Sequence, residues 1–294
     1  MKSKTSIVGT ILFLFGLTVC GQQSGNNVIG QNYNYNQSDK PQAVSKLFLT
    51  DSSFIIQGNV LINVIADSYV ATFGVLESSA TFKTTNTKID KRIQEFIAGL
   101  TKMGIIPTDI YVDMTTRTQI ADYKVNGNYA EQYISGFEEK KNVVIKFKKI
   151  TELDKMLLIA ADYGIYDLAK VDYIVTDINK IYTQLFLATN DVINNKKELY
   201  VSATKMKLTT SAGIYGESFY SFYPSQLYKS YTPNITSEYF DEGSHAKRKD
   251  LKKNTTYYYD KINYSGFDKV INPIVTEPAV EFVLMLQIKF KIEK

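Results

Sequence analysis

From Phe54 onward hydrophobic and polar positions alternate. Phe54, Ile56, Gly58, Val60, Ile62 and Val64 fall on one side of an extended chain, and Gln57, Asn59 and Asn63 on the other. A period of two predicts a half-buried strand. Ser68–Thr81 continues the alternation and reads as its pairing partner. The period then lengthens. Ile89, Ile93, Phe96, Ile97, Leu100 and Met103 form a helical stripe, with Lys91, Arg92 and Glu95 outside and Gly104 placed to end the helix. Residues from Pro107 to Val125 and from Tyr133 to Ile150 read as extended segments joined by a turn at Asn126-Gly127-Asn128. Thr151 and Asp154 stand in a capping-box-like relation. They open a helix that buries Leu153, Met156, Leu157 and Ala160 and closes at Gly164. A short strand from Lys170 to Thr176 leads to Asp177, the N-cap of a third helix. That helix covers Ile178–Thr204 and turns Ile181, Leu185, Ala188, Val192 and Leu199 inward.

Residues 207–223 are extended again. The last strand sends Phe282, Leu284, Leu286, Ile288, Phe290 and Ile292 one way and Gln287, Lys289, Lys291 and Glu293 the other. Together these elements predict an α+β protein with mixed and antiparallel sheets and helices packed on one face. The reading divides it into two lobes, residues 45–136 and 137–294, the second interrupted by a Tyr-rich insertion at 224–271.

The N-terminal end carries a different signal. Lys2 and Lys4 precede an apolar run from Ile7 to Leu17, followed by Thr18, Val19, Cys20 and Gly21. Such a run is shorter than the about 20 residues a bilayer-spanning helix needs, and it fits a secretory signal peptide over residues 1–21. Leu17-Thr18-Val19-Cys20 leaves a second reading open, an outer-membrane lipoprotein anchored through Cys20. Residues 22–44, rich in Asn, Gln, Gly and Ser, read as a flexible linker. No transmembrane span is expected in the mature chain.

Charge and composition narrow the chemistry. The chain has 34 Lys and Arg against 30 Asp and Glu, one His, one Cys and no Trp. Removing the leader takes two lysines and the only cysteine. A near-neutral mature surface argues against nucleic-acid binding. One His and one Cys cannot make a Cys/His zinc cage, a disulfide framework or a Cys–His nucleophile with a second His in support. Nucleotide-loop, metalloprotease and nucleophile-elbow motifs are also missing, and Asp109 and Asp113 are strand-edge neighbours with no reason to pair as acid and base. No catalytic residue, cofactor or metal is expected.

The order of these elements resembles the SIMPL-domain family of secreted bacterial proteins, which includes a periplasmic immunogen and an envelope protein linked to oxidative-stress tolerance. The resemblance is carried by "FIIQGNVLINVIADSYVATFGVLE", by Gly104-Ile105-Ile106-Pro107 with Asp109-Ile110, by "SGFEEKKNVVIKFKKITELDKMLLIAADYGI" and by "PIVTEPAVEFVLMLQIKFKIEK". It covers about residues 51–222 and 272–294. Asn59-Val60-Leu61 and the insertion at 224–271 depart from the pattern. The resemblance implies a secreted or periplasmic, non-enzymatic protein, ring- or channel-like homo-oligomers in some members, and a part in envelope stress. It supplies no catalytic residues.

Three features remain as candidate sites. His245 lies in a polar loop beside Asp241 and Glu242, where a solvated side chain outweighs a metal ligand. Lys247, Arg248, Lys249, Lys252 and Lys253 are interrupted by Asp250 and read as a solvated loop. Tyrosine is the anomaly. Of 22 in the chain, ten lie within 215–264: Tyr215, Tyr220, Tyr223, Tyr228, Tyr231, Tyr239, Tyr257, Tyr258, Tyr259 and Tyr264. Rings with a hydroxyl handle suit subunit contacts, packing over a sheet edge, or binding of a glycan or a partner protein.

Overall fold

The computed structural model describes residues 47–50, 52–233, 254–273 and 276–293. Residues 37–229 and 258–294 form one compact unit that holds both large sheets. A second unit takes in residues 230–257, of which 230–233 and 254–257 are described. The strands are β1 (Leu47–Leu49), β2 (Ser53–Val64), β3 (Ser68–Ser79), β4 (Ile110–Asn126), β5 (Tyr129–Phe147), β6 (Asp167–Ile174), β7 (Leu208–Phe222), β8 (Tyr228–Tyr231), β9 (Thr256–Tyr259), β10 (Lys269–Ile271) and β11 (Val280–Ile292). The helices are α1 (Phe82–Met103), α2 (Glu152–Asp162), α3 (Ile178–Thr204) and the single turn α4 (Pro224–Leu227).

One sheet runs β1-β2-β11-β7, with β10 also on β2. The second runs β4-β5-β3-β6, and β8 pairs with β9 in a short ribbon. All pairings whose register is resolved are antiparallel except β10 on β2, so the α+β class stands. Helix α3 covers one face of the first sheet. Ile181, Leu185 and Ala188 pack on Val60, Ile62, Phe282 and Leu284. Helices α1 and α2 cover one face of the second sheet, where Ile89, Ile93, Phe96, Leu100, Met156 and Ala160 close over Phe73, Val75, Val143 and Ile145. Each fully buried large side chain contributes about 1.5–3 kcal/mol, so these stripes fix the helices to their sheets.

The helix ends follow their local chemistry. Helix α1 begins with the Thr81 side chain accepting from Thr84 N and ends at Gly104 in a left-handed conformation. Helix α3 begins with Asp177 accepting from Lys180 N. The cap expected on α2 does not form: Thr151 is already helical (φ −66°, ψ −13°) and its side chain makes no capping bond. On α3, Leu199 is exposed rather than inward, and Ile193 takes the buried position below it.

Three expectations about the strands need correction. First, β2 and β3 are not partners. The Ala66-Asp67 corner carries the chain from one sheet to the other, with Asp67 N donating to Ile174 O and the Asp67 carboxylate accepting from Thr176 N and Oγ1. Those bonds hold the Asp67 carboxyl below its ordinary pKa. Second, β2 is buried on both faces. Gln57, Asn59 and Asn63 are buried although polar, and other side chains answer them in part; Asn63 Nδ2 has no hydrogen-bond partner among the described residues. Gln57 Nε2 donates to Asn59 Oδ1 (2.9 Å), Gln287 Nε2 to Gln57 Oε1 (2.8 Å), and Tyr264 OH to Asn63 Oδ1 (3.2 Å). Third, a lobe boundary at 136/137 falls inside the continuous strand β5.

On the α3 face, Gly58 permits the close approach. A Cβ there would meet Ile193 Cγ1 and Thr189 Cγ2, both at 2.9 Å.

Candidate functional site

Among the described residues, the end of the β4–β5 hairpin is an exposed feature with a defined geometry. Strand β3 pairs with β5 only from Phe137 to Phe147, so residues 120–136 project beyond the sheet as a two-stranded arm. The turn at its tip forms where the sequence places it. Gly127 has φ +60° and Asn126 pairs with Tyr129, the arrangement of a two-residue hairpin loop with glycine first. Ser135 is a bulge at the root, and its Oγ donates to Ile120 O.

The register sorts the arm into two unlike faces. Opposed residues share a face, so Ala121 with Ile134, Tyr123 with Gln132 and Val125 with Ala130 make one face without a charge. Asp122 with Tyr133, Lys124 with Glu131 and Asn126 with Tyr129 make the other. Tyr123, Val125 and Ile134 are 61%, 72% and 55% exposed. An isolated two-stranded ribbon is marginal in water, and an uncovered apolar face together with open strand edges is a template for association.

The root of the arm is anchored to α1. The Arg117 guanidinium lies 3.8 Å from the centre of the Phe82 ring and donates to Glu139 Oε1 at 3.4 Å. Glu139 is fully buried; Lys141 Nζ lies 3.4 Å from the same oxygen and also pairs with Asp90, while Glu139 Oε2 has no hydrogen-bond partner among the described residues.

The tyrosines singled out by the sequence do not form one surface. Tyr215 and Tyr220 are exposed on β7, Tyr215 with Lys289 Nζ 5.8 Å from its ring centre and Tyr220 opposite Val283. Tyr223 is half-buried in the α3-side core. Tyr228 and Tyr259 do meet, with ring centres 6.0 Å apart. Tyr231 and Tyr258 are half-buried and Tyr257 is exposed. Tyr239, His245 and the cations from Lys247 to Lys253 lie outside the described residues.

Sequence reasoning missed the buried Glu281. Its Oε1 accepts from Tyr259 OH at 2.9 Å and its Oε2 from Ile262 N at 3.2 Å. Burial pushes the Glu281 carboxyl above its ordinary range, against the hydrogen bonds from Tyr259 and Ile262, and burial together with the carboxylate raises the Tyr259 phenol. The residue lies on the polar side of β11, where alternation alone places it in solvent.

A cleft of about 530 Å³ opens where Ile62, Ile65, Val175 and Ile181 form an apolar floor and Lys180 and Gln184 a polar rim. Asp67 and Asp177 also line it, but Thr176 engages the first and Lys180 N the second. Among the described residues no group of three His, Cys, Asp or Glu side chains is placed to hold a metal ion, and no helix is long and apolar enough to cross a membrane.

The family model described as SIMPL, protein of unknown function (DUF541), fits residues 55–239. No curated protein matches the chain.

Proposed function

The chain belongs to the SIMPL family of proteins of unknown function, and from that footing we propose that it is a secreted, non-enzymatic envelope protein that acts by self-assembly through the β4–β5 arm. One observation carries the reading: the arm's apolar face, Ala121, Tyr123, Val125, Ala130 and Ile134, is exposed on a ribbon too thin to bury it. A second copy suits this face better than lipid. Five residues along β4 at about 3.3 Å each give roughly 17 Å, well short of the about 30 Å of a hydrocarbon core. All the arm's charges, on Asp122, Lys124 and Glu131, fall on the opposite face, so two copies bring their apolar faces together without charge repulsion.

The leader-like residues 1–21 support export to the periplasm or beyond; the alternative reading is an outer-membrane lipoprotein anchored through Cys20. A role in envelope or oxidative stress tolerance follows the family resemblance. Light scattering on the purified mature chain, with and without substitutions on the apolar face, tests assembly. Fractionation of the producing cell, with a mass measurement of the mature N-terminus, tests the compartment.

The exposed rings of Tyr215 and Tyr220 on β7 favour a second reading, a binding surface for a glycan or a partner protein. Retention on cell-wall material by the wild type, and its loss on replacing both tyrosines with serine, supports that reading; equal retention removes it.

A further inference from the structure

We propose that Asn126–Gly127, at the tip of the arm, is a self-processing modification site that converts to aspartate and isoaspartate, the isoaspartate form disabling the arm as an assembly contact. The second half of this statement rests on the assembly reading; the first does not.

This is the chain's one Asn-Gly sequence. Glycine matters here because the reaction needs the main-chain nitrogen of the following residue to reach the asparagine side chain, and a Cβ on that residue obstructs it. The structure adds access. Residues 121–130 are all exposed, and nothing lies within 4 Å of where a Gly127 Cβ would be. The rung from Asn126 to Tyr129 is the last of a two-stranded ribbon, with no third strand among the described residues to hold it, so it opens most readily. Several of the other described asparagines are held. Asn59 and Asn63 are buried, and Asn179, Asn190, Asn194 and Asn195 lie within α3.

The chemistry uses only water. Gly127 N loses its proton and bonds to Asn126 Cγ. The Cγ–Nδ2 bond breaks, and Nδ2 leaves as ammonia. Water then opens the cyclic imide. Attack at Cγ gives aspartate; attack at the main-chain carbonyl carbon gives isoaspartate, in which the backbone runs through the former side chain. Both products place a new carboxylate on the charged face beside the Lys124–Glu131 rung. Isoaspartate also lengthens the main chain by one carbon between the two strands. That breaks the Asn126–Tyr129 rung and loosens the adjoining Val125–Ala130 rung, which belongs to the apolar face.

The test incubates the purified mature chain at neutral and mildly alkaline pH, removes samples over time, and maps peptides by mass alongside light scattering. The site is supported if residues 126–127 convert before any other asparagine, faster at the higher pH, and if Asn126→Gln abolishes that product. It is overturned if Asn126 stays intact while other asparagines convert. Loss of association in step with conversion, and its absence in Asn126→Gln, supports the consequence for assembly; a converted chain that associates like fresh protein overturns it. A fresh chain that is monomeric yet converts at Asn126 sinks the assembly reading and its regulation while upholding the site, so the two failures are told apart.

Discussion

Lys196 of α3 and Asp268, just ahead of β10, form an ion pair of 2.7 Å that completes the edge of β2. Along that edge β1 pairs with Phe54–Ile56 and β10 with Val60–Ile62, which leaves a gap at residues 57–59. Asp268 fills it: its carboxylate accepts from Asn59 N (2.9 Å) and its own N donates to Asn59 O (2.9 Å). Lys196 Nζ donates to Gln57 O at 2.8 Å. Both side chains are largely buried, so removing either takes a charged partner from the other in a poorly solvated site. Asp268→Ala is expected to cost about 3 kcal/mol in urea denaturation, and Lys196→Met a similar amount. The double variant should lose less than the two single losses added together. Additive losses would mean the pair is not a unit.

Gly58 sets the depth of the α3 seat. In Gly58→Ala the new methyl meets Ile193 and Thr189 at 2.9 Å, so α3 must lift or side chains must leave their rotamers. The expected loss is about 1–3 kcal/mol. Hydrogen exchange should show it spread over α3 and β2, with α1 and α2 unchanged. An alanine variant as stable as the wild type would contradict the close packing.

Arg92 ties three elements of the second sheet's layer. Its guanidinium donates to Tyr163 O (3.1 Å) and Gly164 O (2.6 Å) past the end of α2, and to Leu76 O and Glu77 Oε2 (both 2.8 Å) at β3. A lysine cannot reproduce that fork. Arg92→Lys is expected to lower stability by about 1–2 kcal/mol and to raise hydrogen exchange at the end of α2. Unchanged exchange there would show that the clamp carries no weight.

Glu281 gives a pH signature of defined sign. Its folded pKa is raised above the ordinary 4.5, chiefly by burial. Its contribution to stability is therefore fully present below 4.5 and is lost as pH rises through the folded value. Glu281→Gln removes the titrating group while keeping an acceptor for Tyr259 or Ile262. Urea midpoints measured from below 4.5 to neutrality should fall less with pH in this variant than in the wild type. Parallel profiles would contradict the assignment.

Much of the fold is legible in the sequence, for a simple reason. Wherever one face is buried and the other wet, the period shows through. This is why the stripe from Ile89 to Met103 and the alternation from Ile288 to Ile292 read correctly. Where both faces are buried the rule fails. Gln57 and Asn63 look solvated because the groups that bond to their side chains from another element, Gln287 and Tyr264, come from more than two hundred residues away. The pairing of Ser68–Thr81 with Phe54–Val64 misleads because adjacency in sequence favours a hairpin, whereas the bonds from Asp67 to Ile174 and Thr176 turn the chain into another sheet. The arm is half-legible. Its turn is announced by Asn126-Gly127, but its length beyond the sheet depends on where β3 stops at Ser79, and no local pattern records that.

The apolar face of the arm makes self-assembly a question of molecular mass. Light scattering coupled to size exclusion, run on the purified chain over a wide concentration range, measures it directly. The predicted result is a multimer for the wild type. The Tyr123→Ser, Val125→Ser, Ile134→Ser variant should then be a monomer with unchanged circular dichroism and melting temperature. A wild-type chain that stays monomeric throughout, or a triple variant that assembles as the wild type does, would contradict the account.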